Sequence, residues 1–273
     1  MAYRLSLHEI VYLFSQRQKT PFYSFIILNS KPFSFQLNKD ILYLLMRKYI
    51  SSKNGNWISE VKNESIINLM KFEDIQFIKN LNNKLDNDKN SYSKNQISQY
   101  LQLKEKYNGL AANEQIKKSL CLNRNEISLF TIGYEGKNID FFLNQLITNR
   151  IRLLIDVRNN PVSRKYGFSS KQLSKFCKYI NIDYMHLPEL GIESALRKKL
   201  SSLSDYKNLF ISYKSRLAKN YENTILEIIK EANDLNRIAL TCFEADYKFC
   251  HRSIIAELIE SRTLNKISIK HLV

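Results

Sequence analysis

Apolar residues in the second half of the chain form short runs that alternate with segments of helical spacing. The runs lie at Ile127–Ile132, Ile151–Val157, Asp183–Leu187, Ile238–Phe243 and Ile267–Leu272. Short apolar runs that end at polar residues or glycine are typical of buried strands. Helical spacing covers Ile139–Thr148, 169–180, 205–219, 221–234 and 252–262. Because strand and helix alternate, we predict an α/β domain with a mostly parallel sheet of about five strands, flanked by helices.

The first half of the chain has a different pattern. Residues 3–16 and Lys39–Tyr49 place apolar side chains at helical spacing, and an aromatic-rich segment between them, interrupted by two prolines, favours extended structure. Further helical patterns cover 64–85 and 93–107, and the polar stretch 82–95 predicts a solvated connection. We therefore expect a mainly helical, winged-helix-like region.

The length of 273 residues exceeds what one core usually fills. The change of pattern predicts a helical domain at 1–124 and an α/β functional domain at 125–273. A winged-helix-like domain would present one helix to a groove of DNA. Since helix-turn-helix patterns also occur in helical bundles, a protein-interaction or scaffolding role is the alternative for the first domain.

The charge balance indicates the partner. Forty-two Lys and Arg stand against 26 Asp and Glu, a formal net charge of +16, and such an excess attracts phosphate polyanions. Double-stranded DNA is therefore the expected partner. The alternative is that a lysine-rich composition, typical of an AT-biased genome, raises the charge everywhere.

Cysteine usage and hydropathy bear on the compartment. The four cysteines have no CxxC spacing, the N-terminus lacks a signal-peptide pattern, and no apolar run reaches the ~18 residues of a membrane span. Hydrophobic residues make up 44% of the chain, which excludes a wholly disordered protein. We expect a cytoplasmic protein without a membrane segment.

Ligands of open parallel sheets bind outside the carboxyl ends of the strands. After the first run, two glycines and the helix that follows would suit an anion, although a plain strand-to-helix turn explains them equally well. The candidate binding residues of this loop are Gly133, Tyr134, Glu135 and Gly136.

The second run ends with Asp156 and Arg158, which project to one side of an extended chain. They are candidates for catalysis and binding, with a structural salt bridge as the alternative. A basic loop that suits phosphates follows, with candidates Ser163, Arg164, Lys165 and Tyr166. After the third run, Glu189 is a further candidate, for which a loop-shaping role is the alternative.

The densest group of reactive side chains follows the fourth run. The fourth run ends with Cys242, Phe243 and Glu244. The next helix opens with Cys250, His251 and Arg252. A thiol at a helix N-terminus suggests a nucleophile, and thiols beside an imidazole also suggest a metal. The spacing matches no standard zinc pattern, so we expect no metal. The two cysteines are then packing residues or substrate contacts, while Glu244, His251 and Arg252 bind or catalyse.

The order of four motifs resembles one family. TIGYEG, LLIDVRNNPVSRKYGFS, IDYMHLPELG and TCFEADYKFCHR follow one another through residues 127–262, and this combination is similar to the family named domain of unknown function 488. The family usually begins its first motif TIGHS, where this chain has Tyr134 and Glu135. The segment KPFSFQLNKDILYLLMRKYI resembles the winged-helix-like extension of larger members. The resemblance implies a protein associated with nucleic acids or nucleotides, in some cases in a defence context.

These observations favour a DNA glycosylase that removes a modified base and leaves an abasic site. The flipped base needs aromatic walls and a basic face, and cleavage needs carboxylates. We assign catalysis to Asp156 and Glu244, with His251 or Arg252 stabilising the leaving base. The walls are Tyr134, Tyr166 and Phe243, the basic face is Arg158, Arg164 and Lys165, and Cys250 contacts substrate. We expect no cofactor. A DNA-binding regulator that senses a small ligand is the alternative, followed by a nuclease.

Overall fold

A computed structural model describes residues 7–15, 18, 21–28, 31–53, 56–59, 126–193, 196 and 203–273. The chain divides into two compact units. Unit 1 comprises Met1–Tyr23 and Ser30–Glu114, and unit 2 comprises Ser24–Asn29 and Gln115–Val273. The boundary that the sequence predicts between residues 124 and 125 lies outside the described residues, as do the helical patterns at 64–85 and 93–107.

The described residues before position 60 form six elements. In chain order these are α1 (Leu7–Ser15), β1 (Ile26–Leu28), β2 (Lys31–Phe33), α2 (Phe35–Met46), β3 (Ile50–Lys53) and β4 (Asn56–Ser59). Ser34 caps α2, because its side chain accepts a hydrogen bond from the Leu37 amide at 3.1 Å. Strands β3 and β4 form an antiparallel pair in which Ile50 lies opposite Ser59. The extended segments predicted between the two helices are therefore present, as β1 and β2.

Unit 2 contains the predicted alternation of strand and helix. Its further elements are β5 (Ser128–Gly133), α3 (Ile139–Thr148), β6 (Leu153–Asp156), α4 (Ser170–Tyr179), β7 (Asp183–His186), α5 (Leu203–Asn220), α6 (Glu222–Leu235), β8 (Arg237–Cys242), α7 (His251–Arg262) and β9 (Ser268–Leu272). The sheet has five parallel strands flanked by helices, which confirms the predicted α/β class. Strand β6 is shorter than its apolar run, because the chain leaves the sheet after Asp156.

The strand order positions the functional edge. The order is β7-β6-β8-β5-β9, so β8 lies between two strands that precede it in the chain. Asp156 at the end of β6 is in register with Thr241 of β8, and Gly133 of β5 with Cys242. The loops that follow β5, β6 and β8 therefore meet at one carboxyl edge.

The three central strands are completely buried, as expected of a parallel sheet covered on both faces. Successive side chains point to opposite faces. On one face, residues such as Ile155, Val157 and Leu240 pack in a single core with side chains of α5, α6 and α7. Because side chains alternate along each strand, Asp156 and Thr241 lie on the opposite face of the sheet.

No helix in the described part of the chain is long and apolar enough to cross a membrane.

Candidate functional site

Two polar clusters lie at the carboxyl edge of the sheet. The first, which we call the carboxylate–guanidinium cluster, consists of Asp156, Arg158 and Tyr184. The second, the thiol–imidazole cluster, consists of Cys242, Cys250, His251 and Glu244. Because Asp156 is in register with Thr241, and Cys242 follows Thr241 on β8, strand alternation places the side chains of Asp156 and Cys242 on opposite faces of the sheet.

The carboxylate–guanidinium cluster is a buried ion pair. Arg158 Nε donates to Asp156 Oδ1 at 2.8 Å and Arg158 Nη2 to Oδ2 at 2.5 Å, so the pair is bidentate. Tyr184 also donates its hydroxyl to Asp156 Oδ2 at 2.7 Å. Asp156 is 0% exposed. Its carboxylate therefore holds the guanidinium and the phenol in place.

Electrostatics of this cluster follow from burial and proximity. Burial lowers the pKa of Arg158, but the hydrogen bond and charge of Asp156 outweigh burial and raise it above its ordinary value. Burial, with the charge of Asp156, raises the pKa of Tyr184 well above its ordinary range. Arg158 is thus charged and Tyr184 neutral at neutral pH.

Arg158 also connects the ion pair to an aromatic group. Its Nη1 donates to the Tyr134 hydroxyl at 3.0 Å and to the Phe168 carbonyl at 2.8 Å. The Tyr134 and Phe168 rings stack at 4.4 Å, and Phe243 meets Tyr134 edge-on at 5.3 Å. Phe243 is 44% exposed, whereas Tyr134 and Phe168 are 4% and 0% exposed. Phe243 is therefore the residue of these three that is open to solvent beside the cluster.

The predicted basic loop lies next to these aromatic residues. Lys165 Nζ donates to the Tyr134 carbonyl at 3.1 Å and lies 5.6 Å from the Phe168 ring centroid. The Ser163 hydroxyl accepts from the Lys165 amide at 3.2 Å, and Arg164 is exposed. Tyr166 packs near Phe176, and its part in an aromatic wall stays a prediction.

The thiol–imidazole cluster forms where β8 ends and α7 begins. Cys242 Sγ and Cys250 Sγ donate to the same oxygen, Glu244 Oε2, at 3.2 and 3.0 Å. His251 Nδ1 lies 3.8 Å from Cys242 Sγ and 4.0 Å from Cys250 Sγ. The two thiols and the imidazole are at most 2% exposed, whereas Glu244 is half-buried. The carboxylate is therefore the side of the cluster nearest to solvent.

Protonation in this cluster does not favour a thiolate nucleophile. Burial raises the pKa of Cys250 well above its ordinary value, which outweighs the effect expected at a helix N-terminus. Burial also raises the pKa of Glu244, but hydrogen bonds from Cys250 and Cys242 outweigh it and the pKa falls below its ordinary value. The protein alone thus holds a neutral thiol and an ionised carboxylate here.

Comparison with known proteins supports the resemblance seen in the sequence. A family model described as "Domain of unknown function DUF488" matches residues 138–259. Over these residues, unit 2 is similar to that family. The matched segment includes both Asp156 and the whole thiol–imidazole cluster, and it begins after the Gly133–Gly136 loop. No curated protein and no solved structure matches the chain.

One arginine and one glutamate that the sequence offers as ligand contacts also brace unit 2. Arg252, 1% exposed, donates to the carbonyls of Glu244 and Ala245 at 2.6 and 3.0 Å. Glu135 accepts from the Ala245 amide at 2.9 Å. Both side chains fix the loop that carries Glu244. Whether they also contact substrate stays a prediction, as it does for Arg158, Glu189 and Gly136.

Gly133 is needed for a close approach within the protein. A Cβ at this position would lie 1.8 Å from the Glu244 carbonyl oxygen, so a side chain here would displace the loop that carries Glu244. The sequence suggested that this glycine admits a ligand, and the structure shows the backbone of residues 244 and 245 in that space. The sequence pattern alone does not tell whether a glycine makes room for a ligand or for another segment of the protein backbone.

We expect Gly133→Ala to lower the free energy of unfolding by about 3 kcal/mol, the upper end of overpacking effects. Gly136→Ala is the matched control, since its φ is +73° but nothing lies within 4 Å of its Cβ. It should cost only ~1 kcal/mol for the left-handed backbone. Urea unfolding of both variants checks this, and equal losses would contradict the close approach.

Proposed function

We propose that unit 2 is a hydrolase that acts on DNA and releases a base by cleaving its N-glycosidic bond. The observation that carries this proposal is the neighbourhood of Phe243 and Glu244. They are consecutive residues after β8, at the edge where the basic loop also lies. Phe243 is 44% exposed, and Glu244 is half-buried with a pKa below its ordinary value. A flipped base needs a stacking surface, and the broken bond needs a carboxylate.

The residue roles in this proposal follow the contacts. Phe243 forms the stacking surface for the base, and the buried Tyr134 ring supports Phe243 edge-on. Arg164 and Lys165 bind the phosphates on either side of the flipped nucleotide. Glu244 takes the proton of the attacking water and stabilises the positive charge that develops on the sugar.

Asp156 has a positioning role in this scheme. Both of its oxygens are occupied by Arg158 and Tyr184, and Asp156 is fully buried, so it acts through those two side chains. The sequence paired Asp156 with Glu244 as catalytic carboxylates. Their contacts now favour Glu244 as the group that acts on water.

The test is to incubate the full chain with duplex and single-stranded DNAs that contain normal or modified bases, and then to treat them with alkali. We expect strand scission after alkali, but not before it, for at least one modified substrate. Absence of abasic sites from every DNA tested would overturn the proposal. Measurable DNA affinity without abasic sites would favour the regulator.

The DNA affinity should fall steeply with salt. Each phosphate neutralised by Lys or Arg releases counterions, so six contacts correspond to a loss of about 10³-fold between 50 and 200 mM salt. Arg164→Ala should reduce the slope of log K against log salt by about one. Arg152→Ala is the control, because Arg152 is also exposed but precedes β6 and therefore lies at the amino edge. A flat salt dependence for the wild-type chain would contradict phosphate binding.

A further inference from the structure

The donor atoms of the thiol–imidazole cluster are spaced like the corners of a metal site. Cys242 Sγ, Cys250 Sγ and one His251 nitrogen all lie within 4.8 Å of one another, and the two sulfur–nitrogen distances are 3.8 and 4.0 Å. Zinc bonds of about 2.3 Å to sulfur and 2.0 Å to nitrogen set such atoms roughly 3.5–3.8 Å apart in a tetrahedron. The two sulfur–nitrogen distances therefore need only a small contraction to match those around a bound ion.

The histidine is oriented as a metal ligand would be. His251 Nε2 lies 3.0 Å from the Val157 carbonyl oxygen, and because a carbonyl only accepts, Nε2 carries the proton. Nδ1 then presents its lone pair to the two thiols. A backbone carbonyl that fixes the tautomer in this way is the usual outer partner of a metal-bound histidine. The Tyr213 ring, edge-on at 5.7 Å, holds the imidazole from another side.

The surroundings of these donor atoms suit a neutral complex. Cys242 and Cys250 are buried in the apolar core, where a charge without a counter-charge is costly. Two thiolates also neutralise a divalent cation, so an ion here would add no net charge to the core. Cys177, by contrast, is a buried cysteine on α4 and is absent from the candidate metal group.

We propose that Cys242, Cys250 and His251 bind one Zn²⁺, with the fourth position open toward Glu244. On binding, each thiol loses its proton to solvent, so one Zn²⁺ enters and two protons leave without any redox change. Three protein ligands and one open position are typical of a catalytic zinc. Glu244 faces that position from the solvent side and takes a proton from the water bound there. This last role rests on the proposed hydrolysis, but the metal site does not.

The experiment measures zinc per chain by elemental analysis after purification of the full chain from zinc-supplemented medium. We expect one zinc per wild-type chain, and less than a tenth of that in Cys242→Ser and Cys250→Ser. Cys177→Ser is the matched control and should keep the full content. Far-UV circular dichroism of each variant establishes that it is folded.

Cobalt gives a second readout on the unmodified protein. Co²⁺ added to the metal-free wild-type chain should give the visible bands of tetrahedral cobalt and a thiolate charge-transfer band, both lost in Cys250→Ser. A folded wild-type chain that retains no zinc and gives no cobalt spectrum would overturn the site. So would an intact mass two hydrogens below that of the reduced chain, because a Cys242–Cys250 disulfide would exclude the metal.

Failure of the two proposals can be told apart. Zinc at one per chain without release of any base would leave the metal site standing and overturn the hydrolysis. Base release that persists in zinc-free protein would overturn the catalytic metal and leave the hydrolysis standing. Glu244→Gln should keep its zinc, since Glu244 acts on the water, and loss of zinc in this variant would overturn its role as a proton acceptor.

Discussion

Asp156→Asn should lower the free energy of unfolding by about 3–5 kcal/mol, because it leaves the buried guanidinium of Arg158 without its counter-charge. The side chains of the pair are 7% and 0% exposed. An amide at position 156 would also turn one donor toward Arg158 or Tyr184, both of which are donors. The loss is measured by urea unfolding of wild type and variant.

The exposed ion pair between Arg262 and Glu222 supplies the control. Its distance is 2.8 Å, close to that of the buried pair, but its side chains are 42% and 33% exposed. Glu222→Gln should therefore cost at most ~1 kcal/mol. Comparable losses for the two variants would show that Asp156 does not hold a buried charge.

Replacing both partners provides a sharper test of the same pair. An Asp156→Leu, Arg158→Met double variant removes both charges together, so no uncompensated charge stays buried. It should be more stable than Asp156→Asn. A double variant that is less stable than the single one would mean that the ion pair supports the fold through its other contacts, to Tyr134 and Phe168.

The helices and strands of unit 2 could be predicted from the sequence because each depends on local spacing. Ile139–Thr148 was predicted with both ends correct, and the run Ile238–Phe243 became β8 (Arg237–Cys242). The place of β8 between β5 and β6 could not be predicted, since it depends on pairing between residues about a hundred positions apart. That insertion brings Asp156 and Thr241 into register.

The sequence predicts which residues form the candidate site, but only in part how these residues lie relative to one another. Residues just after each strand were expected at one edge, and the structure places Asp156, Arg158 and the thiol–imidazole cluster there. Thiols beside an imidazole suggest a metal in the sequence, but the expectation was of no metal, because Cys242 and Cys250 lie eight residues apart and match no zinc motif. They approach through a strand end and a helix start, which spacing rules do not describe.

Burial changes the role of one further residue. Arg252 stands at the start of α7, where the sequence predicts that it binds substrate or stabilises the leaving base, but its guanidinium is buried against the carbonyls of Glu244 and Ala245. Such burial depends on how the β8–α7 loop folds over the helix. Sequence spacing carries no information about that loop.

Glu244→Gln should slow base release by at least about 100-fold, the lower range of general acid–base contributions. Glutamine preserves the shape of the side chain but cannot take a proton from water. The contacts of Glu244 with the two thiols are preserved in shape as well, so the fold should be retained. Glu227→Gln is the control, since Glu227 is an exposed glutamate on α6.

The most direct measurement is the single-turnover rate of base release with enzyme in excess over the modified DNA. We expect the wild-type rate for Glu227→Gln. For a folded Glu244→Gln that binds DNA normally, we expect the rate of base release to fall by at least about 100-fold. Equal rates for the two variants would contradict the central claim that the carboxylate of Glu244 performs the hydrolysis.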